Sequence, residues 1–133
     1  MKIRSDFVTN SSSSSFIILS KVNRCAELDE YMKDEYGKYG VRLLDEYLKH
    51  IQDYKYCYEY NGKEHVEYDF DGYTVEPCDV NDMGLDMEDE DALYLVARYY
   101  TWSTEGDSDG DDAWLHDKIP EKYREDIFES DPD

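Results

Sequence analysis

The sequence predicts an α+β fold: a single acidic domain, residues 1–133, with an antiparallel sheet of about five strands, two helices after the first strand and a short C-terminal helix. Three observations lead there. Apolar residues recur at helical spacing between residues 26 and 53, alternate with polar ones between 54 and 76, and dominate the runs at 16–22 and 92–102. With 40% hydrophobic and 15% aromatic residues, a chain of 133 residues has enough apolar surface for one core.

The first run, FIILSKV at residues 16–22, reads as a buried strand because branched and aromatic residues fill it. Asn23 is placed to cap a helix on which Leu28, Tyr31, Met32 and Tyr36 share a face, with Glu27, Asp29 and Glu30 near its positive end. Gly37 or Gly40 should stop it. A second helix from Val41 to about Asp53 aligns Val41, Leu44, Leu48 and Ile51 in one stripe.

Alternation then replaces helical spacing, with Asn61-Gly62 and Asp71-Gly72 where hairpin turns should fall, which predicts a three-stranded meander. A two-residue turn at Asp71-Gly72 sets Phe70 opposite Tyr73 and Tyr68 opposite Val75. The same turn at Asn61-Gly62 sets Tyr56 opposite Glu67 and Tyr58 opposite His65, leaving Tyr54, Tyr56, Tyr58 and Tyr60 on the less buried face. A bulged turn would move that row into the core, and both registers stay open at this point. Residues 92–102, ALYLVARYYTW, are too continuously apolar for a surface strand and are expected to lie centrally. Pro120 suits the first turn of a C-terminal helix carrying Tyr123 and Ile127, with residues 130–133 fraying.

The opening string FVTNSSSSSF, residues 7–16, resembles an N-terminal signature, FV(T/S)NSSSSSF, of assorted small proteins of bacteria and their phages. The resemblance covers about the first 17 residues and implies a phage or mobile-element setting, with no active site, fold or cofactor to transfer. Residues 11–15 read as a flexible polar turn, since the tract lacks the Gly and Lys of a phosphate-binding loop.

Charge is divided unevenly. Residues 1–66 hold 11 Asp or Glu against 10 Lys or Arg, and residues 67–133 hold 23 against 4, so nearly all of the net −20 sits in the second half. A halophile's composition would load both halves. Acidity of this density repels itself and exceeds what solubility needs, which suggests a cationic partner or an ion and argues against direct contact with nucleic acid. No stretch approaches the roughly 20 apolar residues of a membrane span, and a polar run stands where a signal peptide needs its apolar core. Cys25, Cys57 and Cys78 lack CxxC spacing and read as reduced thiols, so a bacterial cytoplasm is expected.

Asp79, Asn81, Gly84 and Glu90 occupy positions 1, 3, 6 and 12 of a calcium loop, but Met83 replaces the ligand at position 5, and a strand precedes the loop instead of a helix. Aligning Gly110 in the same way puts His116 where a bidentate Glu belongs. No metal or other cofactor is therefore expected, and calcium binding ranks third among the functions considered. His50, His65 and His116 show no ligand spacing, and no carboxylate pair is marked for acid and base work, so no enzymatic activity is expected.

What remains is a polyanionic surface. Phosphates of B-form DNA lie about 7 Å apart along a strand, and alternate strand residues stand about 6.6 Å apart, so carboxylates on strands and adjoining loops approximate a phosphate row. The candidate row is Asp82, Asp86, Glu88, Asp89, Glu90 and Asp91, extended by Glu105, Asp107, Asp109, Asp111 and Asp112 beyond the far end of the 92–102 strand. Tyr56 and Tyr58 add stacking surface for a partner's Arg side chains. The leading expectation is a nucleic-acid mimic that occupies the basic DNA or RNA groove of a larger protein. By analogy of charge and setting, that partner would be a host defence nuclease, as for anti-CRISPR or anti-restriction inhibitors. The alternative is an assembly module that uses its tyrosine-rich face.

Overall fold

The computed structural model describes residues 14–101, 106–107 and 110–130, and its fold is α+β. The expected turn at residues 11–15 falls largely outside the described residues; strand β1 begins at Ser14.

The strands form two antiparallel sheets where the sequence suggested one. Strands β1 (Ser14–Val22), β5 (Leu93–Thr101), β6 (Gly106–Asp107) and β7 (Arg124–Glu129) make a four-stranded sheet in the order β6-β5-β1-β7. Strands β2 (Lys55–Tyr60), β3 (Lys63–Phe70) and β4 (Tyr73–Val75) make a separate sheet in chain order.

The run FIIL at residues 16–19 is continuously apolar because β1 is covered on both faces. Phe16, Ile18 and Val22 point, with Leu95, Ala97 and Tyr99 of β5, toward helices α1 (Ala26–Tyr47) and α3 (Asp111–Lys118). Ile17 and Leu19 point the other way, with Tyr94, onto Tyr68 and Phe70 of the small sheet and onto Val80 and Leu85. The layers run helices α1 and α3, four-stranded sheet, three-stranded sheet.

The small sheet has the two-residue turns anticipated for it. Asn61, Gly62, Asp71 and Gly72 all have positive φ, as type I′ turns require, and Asn-Gly and Asp-Gly supply that geometry cheaply. Register follows: Phe70 faces Tyr73, Tyr68 faces Val75, Tyr56 faces Glu67 and Tyr58 faces His65. The bulged alternative is excluded, and Tyr56 and Tyr60 stand 58% and 62% exposed. Tyr54 departs from its expected row: it ends a 3-10 turn, Ile51–Tyr54, and packs on Phe70.

Other boundaries are corrected. Cys25, not Asn23, precedes the first helix, without a side-chain cap, and α1 continues past Gly37, which takes φ 70 and ψ −154 at a kink. Arg24 joins the two halves by pairing with Asp29 and Asp45. The second half ends at Tyr47, and Lys49 then exchanges backbone hydrogen bonds with Tyr94. Of the expected stripe, Leu44, Leu48 and Ile51 are buried, whereas Val41 is only half-buried and Leu43 takes the core position.

The expected C-terminal helix is a strand. After Pro120 a 3-10 turn, Glu121–Tyr123, leads into β7, which pairs with β1 across a register shift at Leu19 and Ser20. That irregularity accompanies adjacent Ile127 and Phe128 in one core cluster and hides the two-residue period. The helix comes earlier, at Asp111–Lys118, and its first turn takes in Asp111 and Asp112 of the second acidic stretch. Ser130 does not fray: its N–H donates to the Ile17 carbonyl, and its hydroxyl accepts from the Ile17 N–H.

Candidate interaction surface

Residues 76–91 carry eight Asp or Glu and no Lys or Arg, and the fold holds this stretch against the core. Pro77–Val80 forms one helical turn (α2), and Val80 and Leu85 bury completely or nearly so beneath it. The Asp86 N–H donates to the Tyr94 hydroxyl, and the side chains of Asp86 and Asp89 accept from the N–H groups of Glu88 and Asp91. With apolar residues taking the inner positions, acidic ones are forced outward. Asp82, Asp86, Glu88, Glu90 and Asp91 are exposed, and none has a cationic partner among the described residues; half-buried Asp89 pairs with Lys21 at 3.7 Å.

The nearby cations are already engaged. A cleft of about 660 Å³ beside this segment gathers Lys21, Arg24, Lys122 and Arg124. Each meets a carboxylate: Asp89 for Lys21, Asp29 and Asp45 for Arg24, Glu27 for Lys122 and Asp126 for Arg124. These pairs occupy the cations of the cleft, and of the acids in residues 82–91 only Asp89 shares in them.

The second acidic stretch does not join the first. Glu105 and Asp109 lie outside the described residues, as does the side chain of Asp107, whose backbone pairs with Tyr100 at the far end of β5. Asp111 accepts a hydrogen bond from Tyr39. Asp112 is half-buried and accepts from the Ala113 N–H; burial, more than any neighbour, raises its carboxyl above the usual range. Between the two stretches lies most of β5, roughly 23 Å at 3.3 Å per residue.

Tyr56 and Tyr58 belong to a third place, the outer face of the small sheet. Tyr56 and Tyr58 stack at 5.8 Å, Tyr58 and His65 at 5.2 Å, and Tyr60 meets His65 edge-on at 6.1 Å. The Tyr58 hydroxyl donates to Glu67 at 2.7 Å. That bond, with partial burial and the charges of Glu67 and Glu76, raises the Tyr58 phenol above its ordinary value. The Asn61-Gly62 register already set Glu67 and His65 across from Tyr56 and Tyr58 on this face, whereas Glu76 was not foreseen there.

Two constellations resemble reactive sites. His116, 1% exposed, bonds through Nε2 to Asp126 at 2.9 Å, and the Ser20 hydroxyl, 0% exposed, donates to the same carboxylate at 2.6 Å. The hydroxyl faces the acid and not the imidazole, and both residues are sealed, so the group braces β1, α3 and β7. Glu76, Cys78 and Asp79 lie within 4.8 Å of one another, but all are exposed. Slight desolvation and the charges of Asp79 and Glu76 raise the Cys78 thiol, which disfavours a nucleophilic thiolate. In the calcium-like loop, Asp79 falls within α2, and strand β4 precedes it without an entering helix.

No protein-family model matches this sequence, and neither a curated protein nor a solved structure matches it. Among the described residues, no helix is long and apolar enough to cross a membrane.

Proposed function

We propose that the chain is an acidic binding protein that occupies the basic nucleic-acid groove of a larger protein, presenting carboxylates where phosphates would lie. The observation that carries this reading is the packed segment 82–91, whose exposed Asp82, Asp86, Glu88, Glu90 and Asp91 have no cationic partner among the described residues. Anchoring by Val80 and Leu85 and by the Asp86 and Asp89 turns reduces the entropy lost when a partner docks. Asp111, exposed beyond the other end of β5, offers a further contact about seven nucleotide rises away. A defence nuclease is the first partner class to try.

The test uses purified nucleases with basic DNA channels, titrated with the chain in competition with duplex DNA at low and high salt. Changing Glu88, Asp89, Glu90 and Asp91 to their amides keeps shape and removes four charges, so it should weaken inhibition and flatten its salt dependence together. A partner that binds the chain and DNA simultaneously, or an amide variant as potent as the parent at every salt concentration, overturns the proposal.

A further inference from the structure

The outer face of the three-stranded sheet presents two parallel rows. Edge strand β2 carries Tyr56, Tyr58 and Tyr60, and middle strand β3 carries His65 and Glu67 directly across from Tyr58 and Tyr56. Glu76, one residue past β4, adds charge beside Tyr58. Two of the rings are more than half exposed, and their neighbours hold them in order: Tyr58 is tied to Glu67, and the stack runs from Tyr56 through Tyr58 to His65. Nothing in the core calls for these aromatics, since Tyr68 and Phe70 on the opposite face supply the packing.

Charge selects the occupant. A second copy would bring another −20, and nucleic acid or an anionic membrane would be repelled in the same way. A cationic protein segment is favoured. Among cations, guanidinium fits best, because it can lie flat on a tyrosine ring while its edge donates two hydrogen bonds to a carboxylate, whereas an ammonium is a compact charge with no plane to stack. Lys63, opposite Tyr60 at the hairpin tip, makes that end less favourable than the Tyr56, Tyr58 and Glu67 end.

We infer that this face is a docking surface for an extended, arginine-bearing segment of a partner protein, with arginines at alternate residues, one of them stacking on the open face of Tyr56, pairing with Glu67 and Glu76. The spacing of about 6.6 Å between alternate strand residues suits that repeat, and β2 is a sheet edge whose outer backbone groups the described sheet leaves unpaired. The surface lies outside the 82–91 segment and stands independently of the mimic reading.

The test titrates the full chain with two synthetic peptides of equal length, alternating Arg-Thr and alternating Lys-Thr, by fluorescence anisotropy at moderate salt. The arginine peptide should bind about fivefold more tightly, as one stacked guanidinium group would give. Tyr56→Ser, at an exposed position, should erase most of that preference, and Glu67→Gln should weaken the arginine peptide several-fold. The four-amide variant at 88–91 should weaken both peptides alike and keep the preference. Equal affinity for the two peptides, or a preference that survives Tyr56→Ser, overturns the inference. So does dimerisation of the unmodified chain that Tyr56→Ser abolishes, which would assign the face to a second copy.

Discussion

Replacing Asp126 with Ala should cost about 3 kcal/mol, and the loss should shrink in acid. The carboxylate accepts from the Ser20 hydroxyl at 2.6 Å, bonds His116 Nε2 at 2.9 Å and takes Arg124 Nη1 at 2.8 Å. Without it, the fully buried Ser20 hydroxyl is stranded, at about 1–3 kcal/mol. The bonds to Arg124 and His116 are nominally about 1.5–3 kcal/mol each when charge assists them, discounted here because the Asp126 side chain is 32% exposed and water can replace part of what is lost. For a chain of this length the sum corresponds to about 10 °C in Tm. Burial alone would raise the Asp126 carboxyl, but hydrogen bonds from His116, Ser20 and Arg124, with the charge of His116, hold it well below the usual carboxylate range. A depressed folded pKa stabilises above the ordinary unfolded value of about 4, and that stability is lost as pH falls through the folded value. Urea midpoints at pH values from about 6 to 2 give the measurement. Asp126→Asn, which keeps an acceptor oxygen without charge, should lose less and show the same narrowing against the parent. A parent-to-variant gap that stays constant down to pH 2, or falls below about 1 kcal/mol at pH 7, would refute the reasoning.

Two further outcomes follow from the fold. A Cβ at Gly40 would sit 2.9 Å from the Met32 carbonyl oxygen and 3.1 Å from Tyr36 Cβ, so Gly40→Ala should destabilise by about 1–3 kcal/mol in denaturant melts, and a neutral result would mean that the two halves of α1 separate freely. Sodium chloride should raise the denaturant midpoint by screening uncompensated acids in the second half of the chain; a midpoint that falls with salt would mean that those acids are already paired.

What could be read from the sequence tracks how local its cause is. Asn61-Gly62 and Asp71-Gly72 determine both turn types within two residues, and with them the cross-strand partners of Tyr56, Tyr58, Tyr68 and Phe70, so the meander and its exposed tyrosines were legible. Strand β7 was not, because its apolar pair Ile127 and Phe128 breaks alternation and its pairing with β1 closes over about a hundred residues. The acids of 82–91 were legible as composition, but that only Asp89 among them is paired depended on where Lys21, Arg24, Lys122 and Arg124 went, which is a tertiary fact. One signal was present and unused: Ser20 interrupts the apolar run of β1. A hydroxyl inside a strand covered on both faces must find an acceptor, and Asp126, 106 residues away, is that acceptor. Read that way, Ser20 demands that a polar residue of some later element reach the middle of the sheet, which a solvated terminal helix would not have supplied.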